Sequence, residues 1–180
     1  MLKTLSLVGL AVATGVILSG CAITPPKGIE PVKQFSMDQY LGTWYEIARL
    51  NHSFEKGLTN VTANYSMRED GGVAVVNRGY SEKDQAWDEA EGKAYFVKDP
   101  QTGHFKVSFF GPFYGAYVIF NLDDDYQYSL VTGPGRSFFW LLSRTPELTE
   151  QKKAELIGIA AEKGFDTDKL IFVDQSKHQG

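Results

Sequence analysis

The sequence predicts an all-β domain: eight short antiparallel strands in succession, then one helix and a short ninth strand. Three observations carry this. Runs rich in Val, Tyr, Phe and Thr recur at short, regular spacing between residues 44 and 143. Several of them alternate with period two, as in Phe105-Lys106-Val107-Ser108-Phe109 and Val61-Thr62-Ala63-Asn64-Tyr65-Ser66, which leaves one apolar face per strand. Turn residues punctuate the series at Asp70-Gly71-Gly72, Asp99-Pro100, Gly111-Pro112 and Gly133-Pro134-Gly135. Such strands build either a sandwich or an up-and-down barrel, and periodicity does not separate the two.

Taken in order, the chain opens with an export signal over residues 1–20. Lys3 supplies the positive end, and Leu5 to Leu18 form an apolar run too short to span a bilayer. Leu18-Ser19-Gly20-Cys21 resembles the bacterial lipobox, in which the thiol is acylated and the chain cut just before it. Cys21 is the only cysteine, so no intramolecular disulfide can form and the one thiol stands where lipidation needs it. Ala22 rather than Asp follows it. That implies sorting to the outer membrane, with the body on the periplasmic side. Residues 21–34 carry Pro25, Pro26, Gly28 and Pro31 and read as a tether, reaching at most about 40 Å. The folded domain then runs from 35 to 180.

Within it, Met37 to Leu41 makes one helical turn with Ser36 as its cap. The strands are Trp44–Leu50, Thr59–Met67, Val73–Tyr80, Trp87–Val97, Phe105–Phe110, Tyr117–Leu122, Tyr128–Thr132 and Phe138–Ser143. Only the gap from Asn51 to Leu58 is long for a hairpin. A helix follows, capped by Thr149, stopped by Gly164, and striped by Ala154, Ile157, Ala160 and Ala161, so it packs outside a sheet. Leu170-Ile171-Phe172-Val173 is the last strand.

Gly42-Thr43-Trp44 at the mouth of the first strand, answered by Arg144 after the apolar eighth, resembles the lipocalin signature. The order of strands, helix and ninth strand agrees from about Gln34 to Val173. The runs Lys106 to Gly115 and Leu142-Ser143-Arg144-Thr145-Pro146 look like the bacterial lipocalins among outer-membrane lipoproteins. The resemblance implies an eight-stranded antiparallel up-and-down barrel with the helix packed outside, and a guanidinium of Arg144 stacked on Trp44 to close one end. It also implies a fatty acid or lysophospholipid as ligand, and a role in storing or moving lipid for envelope maintenance. The stretch Leu122-Asp123-Asp124-Asp125-Tyr126 departs by one residue from the Thr-Asp-Tyr many lipocalins carry.

The inward face expected from alternation comprises Ala48, Ala63, Tyr65, Val75, Asn77, Ala94, Phe96, Val107, Phe109 and Val118, apolar apart from a few polar atoms and suited to an acyl chain. Glu46 shares the face of Trp44 and Ala48, where a carboxylate is more often satisfied by neighbours than functional. A net charge of −4 gives no nucleic-acid footprint. His52, His104 and His178 lack metal-ligand spacing, Asp123 to Asp125 lack the rest of a calcium loop, and neither a nucleophile elbow nor a phosphate loop occurs. No cofactor is therefore expected, and no enzyme activity. A lipid-binding lipocalin is favoured over a lipid- or pigment-modifying enzyme, which lacks a catalytic constellation, and over a structural lipoprotein with a filled barrel, which the small inward alanines oppose. A homodimer is left open.

Overall fold

The computed structural model describes residues 23–178; the export signal and Cys21 lie outside the described residues. Eight strands run antiparallel in sequence: β1 (Gly42–Arg49), β2 (Leu58–Met67), β3 (Val73–Ser81), β4 (Ala86–Phe96), β5 (His104–Ser108), β6 (Gly115–Leu122), β7 (Tyr128–Thr132) and β8 (Phe139–Ser143). What makes a barrel rather than a sandwich is that β1 bonds at both ends of the series. Trp44 lies opposite Ala63 of β2, and Tyr45 and Arg49 lie opposite Ser143 and Trp140 of β8. Closure removes the free sheet edges that an open meander would expose.

Glu46 opposes Leu142 and Ala48 opposes Leu141, so β1 carries one extra residue between them. A bulge of this kind resets the side-chain alternation. Trp44 therefore faces the interior, whereas Ile47 and Ala48 both join the cluster outside the barrel. The last residues of β1 also gain a ninth strand, β9 (Ile171–Phe172), with Ala48 opposite Phe172.

Helix α1 (Met37–Tyr40) crosses the closed end, and α2 (Glu150–Glu162) lies against the outer wall. Thr149 caps α2 by accepting from the Lys152 N–H at 3.2 Å, and Gly164 ends it at φ +80°, a conformation that favours glycine. Ser36 makes no side-chain cap; its N–H donates to the Tyr126 hydroxyl instead. The buried stripe of α2 is Leu156 and Ala160, while Ala154 and Ala161 are exposed. Leu156 and Ala160 meet Phe165, Phe120, Phe139 and Ile29 in a second core between helix and barrel. Each large side chain fully buried there contributes about 1.5–3 kcal/mol.

Residues 23–34 are irregular, with a turn closed by the Ile29 N–H donating to the Pro26 carbonyl at 3.0 Å and Gly28 at φ +80°, but they do not hang free. Ile29 is buried in the outer core, the Val32 N–H donates to the Ile119 carbonyl at 2.9 Å, and the Gly103 N–H donates to the Val32 carbonyl at 3.0 Å. Gly103 permits this approach, since a Cβ there would stand 2.8 Å from Val32 Cγ2. The segment expected to be a tether thus docks along the wall because its backbone finds partners there.

Candidate ligand-binding site

The closed end is built first. Arg144 stacks 4.0 Å over the Trp44 ring and donates to the carbonyls of Gln39 at 2.7 Å and Thr43 at 3.0 Å. Trp44 Nε1 donates to the Tyr40 carbonyl at 2.8 Å, so indole, guanidinium and α1 form one plug. Gly42 at φ +91° passes beneath it, with room for no large side chain beside Arg144. Asp123 serves the neighbouring turn: one carboxylate oxygen accepts the N–H groups of Gln127 and Tyr128.

Above the plug three phenols converge. Tyr117 reaches the hydroxyls of Tyr65 at 2.7 Å and Tyr40 at 2.9 Å, and Tyr40 reaches Ser129 at 3.1 Å. Burial pushes Tyr40 up to about 12 and holds Tyr65 and Tyr117 well above the ordinary phenol range, so all stay neutral hydrogen-bonding groups. They line, with Val73, Val75, Ala94 and Val107, a void of about 10 Å³. That is room for about one water. The lower half of the barrel is therefore filled by aromatics.

The upper half differs. Only Lys93 to Phe96 of β4 pair with β5, while Ala86 to Gly92 pair with β3 alone. The wall is open sideways there. Ala90 lies opposite Asn77, which lies opposite Ala63, so all three share the inner face, yet Ala90 is exposed. Asn77 presents a buried Oδ1 with no hydrogen-bond partner. Phe109 packs over Gly92 at the base of this opening, where a Cβ would approach its ring to 2.8 Å.

Of the expected wall residues, Ala63, Tyr65, Val75, Ala94, Phe96, Val107 and Phe109 belong to the interior cluster, and Asn77 joins them by register. Ala48 and Val118 do not. Ala48 is turned outward by the β1 bulge. Val118 lies in a run apolar on both faces, Ala116 to Phe120, and it is Tyr117 and Ile119 that point inward. Tyr40, Val73, Phe105 and Tyr117 were missed. For Tyr117 no sequence signal set the phase.

A buried ionic cluster latches the loop 50–57 to the wall. Arg49, 1% exposed, bonds Glu46 at 2.6 Å and donates to the carbonyls of Glu55 at 2.8 Å and Leu58 at 3.0 Å. Glu55 accepts from Trp140 Nε1 at 3.0 Å and has His52 Nε2 at 3.0 Å. Burial, and next the charge of Glu55, hold Glu46 well above the ordinary carboxylate range despite Arg49. Burial opposes the charge of Glu55 too, but His52, Trp140 and Arg49 together hold it low. Glu46 thus holds a proton more readily than Glu55 does. A stack of His52, Phe54 and Phe138 covers the cluster.

A groove of about 360 Å³ outside the barrel, between α2 and β9, is lined by Glu147, Glu150, Lys153, Asp174 and Gln175 as well as apolar groups. That lining does not suit an acyl chain. Among the described residues no cluster of His, Cys, Asp or Glu is arranged to hold a metal.

Comparison with known proteins agrees with this architecture. A family model described as a lipocalin-like domain matches residues 35–175. The chain is 53% identical over 161 residues to the outer membrane lipoprotein Blc of Vibrio cholerae, covering 89% of this chain and 94% of that one. It is 47% identical over 174 residues to the outer membrane lipoprotein Blc of Escherichia coli K12, covering 97% and 98%. Among solved structures, the cockroach allergen Per a 4 superposes with a TM-score of 0.67 at 22% identity, covering 86% of this chain and 98% of that one, which speaks to fold alone.

Proposed function

Given that the chain belongs to the lipocalin family, we propose that it is an outer-membrane lipoprotein that binds and carries a single-chain lipid in the upper half of its barrel. In this reading acylated Cys21 anchors it to the outer membrane, for which its lipoprotein relatives are named, with the body on the periplasmic side. The observation that carries the reading is the opening beside β4, where an apolar inner face continues up from Val75 and Ala94 past Gly92 to the exposed Ala90. A fatty acid or lysophospholipid lays its chain on that face, and Asn77 Oδ1 accepts from a ligand hydroxyl or protonated acid. About ten methylenes buried at about 0.8 kcal/mol each give about 8 kcal/mol gross, before association costs of about 4 kcal/mol or more. The remaining about 4 kcal/mol corresponds to an affinity of about millimolar, and each further methylene buried tightens it about fourfold.

The void of about 10 Å³ favours a second reading, a structural lipoprotein with a filled barrel. One experiment separates them. Ala90→Trp places an indole in the open half, so fluorescent fatty-acid binding should fall at least tenfold while the melting midpoint moves by no more than about 2 °C. Unchanged affinity would move the ligand elsewhere. A parent protein that binds no lipid would favour the structural reading.

A further inference from the structure

The β5–β6 connection carries the most exposed aromatic side chains among the described residues: Phe110 is 80% and Phe113 78% exposed. They flank a turn closed by the Phe113 N–H donating to the Phe110 carbonyl at 3.1 Å, and none of the described residues covers them. Just below the tip, Lys106 Nζ stands 5.2 Å above the Tyr114 ring and 6.0 Å above Tyr95. Apolar rings at the tip, with a collar of tyrosine and lysine beneath, are ordered as the layers of a bilayer interface are ordered.

Two further observations fix which way this tip faces. The stretch of β4 that β5 leaves unpaired, Ala86 to Gly92, lies on the strand next to it, so the opening of the barrel and the aromatic tip adjoin. At the other end of the same hairpin, His104 Nε2 donates to the Ile23 carbonyl at 2.8 Å, and His104 is the first residue of β5. Cys21 precedes Ile23 by two residues, a reach of about 7 Å. β5 rises about 17 Å. Ile23, where the described chain begins, and the aromatic tip therefore mark the two ends of one side of the barrel.

We propose that the β5–β6 hairpin is a second membrane contact, which lays this side of the barrel on the phospholipid leaflet, sinks Phe110 and Phe113 among the acyl chains and turns the opening beside β4 toward the lipid. The proposal rests on the carrier reading above and adds the route by which ligand enters. A second copy of the chain is the weaker occupant. Two phenylalanines bring about 300–500 Å², well short of the roughly 800 Å² per partner of a stable dimer. Glu89 and Glu91 on β4 offset Lys93 and Lys106, so the contact is apolar in origin and only weakly sensitive to salt.

The test uses the chain from Ala22 onward, since every strand lies within residues 23–178. Vesicles contain equal parts of phosphatidylethanolamine and phosphatidylglycerol. The parent should sediment with them, and Phe110→Ser with Phe113→Ser should weaken this by on the order of a hundredfold. Their melting curves should coincide, both rings being exposed. Phe113→Trp should retain binding, and its fluorescence should be quenched by lipids brominated on the acyl chain. Equal sedimentation of parent and double variant, or an unquenched Trp at position 113, overturns the proposal. So does a dimer in sedimentation velocity that the double variant loses. Fatty-acid titration without vesicles separates the two readings: a parent that sediments but binds no fatty acid supports the membrane contact and overturns the carrier.

Discussion

Replacing Glu46 by Gln tests the ionic latch directly. In the folded protein Glu46, bonded by Arg49 at 2.6 Å and facing Glu55, keeps its proton to higher pH than an ordinary carboxylate. An amide reproduces that hydrogen bonding: its oxygen accepts from Arg49 and its NH₂ donates to Glu55. Near pH 5 the variant should therefore lie within about 1 kcal/mol of the parent. At higher pH they should part. Above the ordinary carboxylate value near 4.5 the unfolded chain releases the proton that folded Glu46 keeps, so rising pH favours unfolding. One proton of difference gives a slope of up to about 1.4 kcal/mol per pH unit, continuing until pH passes the raised value of Glu46. Glu55 acts in the opposite sense. Its lowered value adds stability above the ordinary range, which is lost as pH falls through it, in parent and variant alike. Urea unfolding followed by tryptophan fluorescence from about pH 5 to about pH 8 reads both slopes. The parent should lose stability on the alkaline side and Glu46→Gln should stay flat. Parallel curves would refute the protonated, shared-carboxyl account.

Other expectations follow from the same geometry. Trp44→Ala should cost about 3–5 kcal/mol and Arg144→Ala less, and because the guanidinium stacks 4.0 Å over the indole the double variant should lose less than the sum in denaturant titrations. Ala94→Trp, beside a void of only about 10 Å³, should overpack the lower barrel and cost about 1–3 kcal/mol by thermal melting, unlike Ala90→Trp. Cys21→Ser should leave the protein out of the membrane fraction and without incorporated labelled fatty acid; a mutant that still carries label would refute acylation at this thiol.

Much of the fold was legible because its determinants are local. Alternation in β2, β3 and β5 assigned the faces of Ala63, Tyr65, Val75 and Val107 without any partner strand in view. The pairing of Trp44 with Arg144 was legible for another reason: strands one and eight must be neighbours in a closed barrel, so residues at their near ends meet. What the chain by itself determined is thus which segments are strands, where they turn, and which side of most of them is apolar.

The tertiary structure decided the rest, wherever two faces are equally apolar or one residue is added. The β1 bulge reversed Ala48 and put Arg49 inside, because only the register against Leu141 and Leu142 sets which residue is extra. Tyr117 rather than Val118 faces inward because Tyr65 and Tyr40 offer its hydroxyl partners there, and those come from elements 52 and 77 residues away. Arg49 reads in sequence as a surface residue at the end of a strand. It is buried because the Glu46 carboxyl and the carbonyls of Glu55 and Leu58, three to nine residues away, are folded back onto it, and a charge enters a protein interior only where the tertiary fold brings groups to meet it.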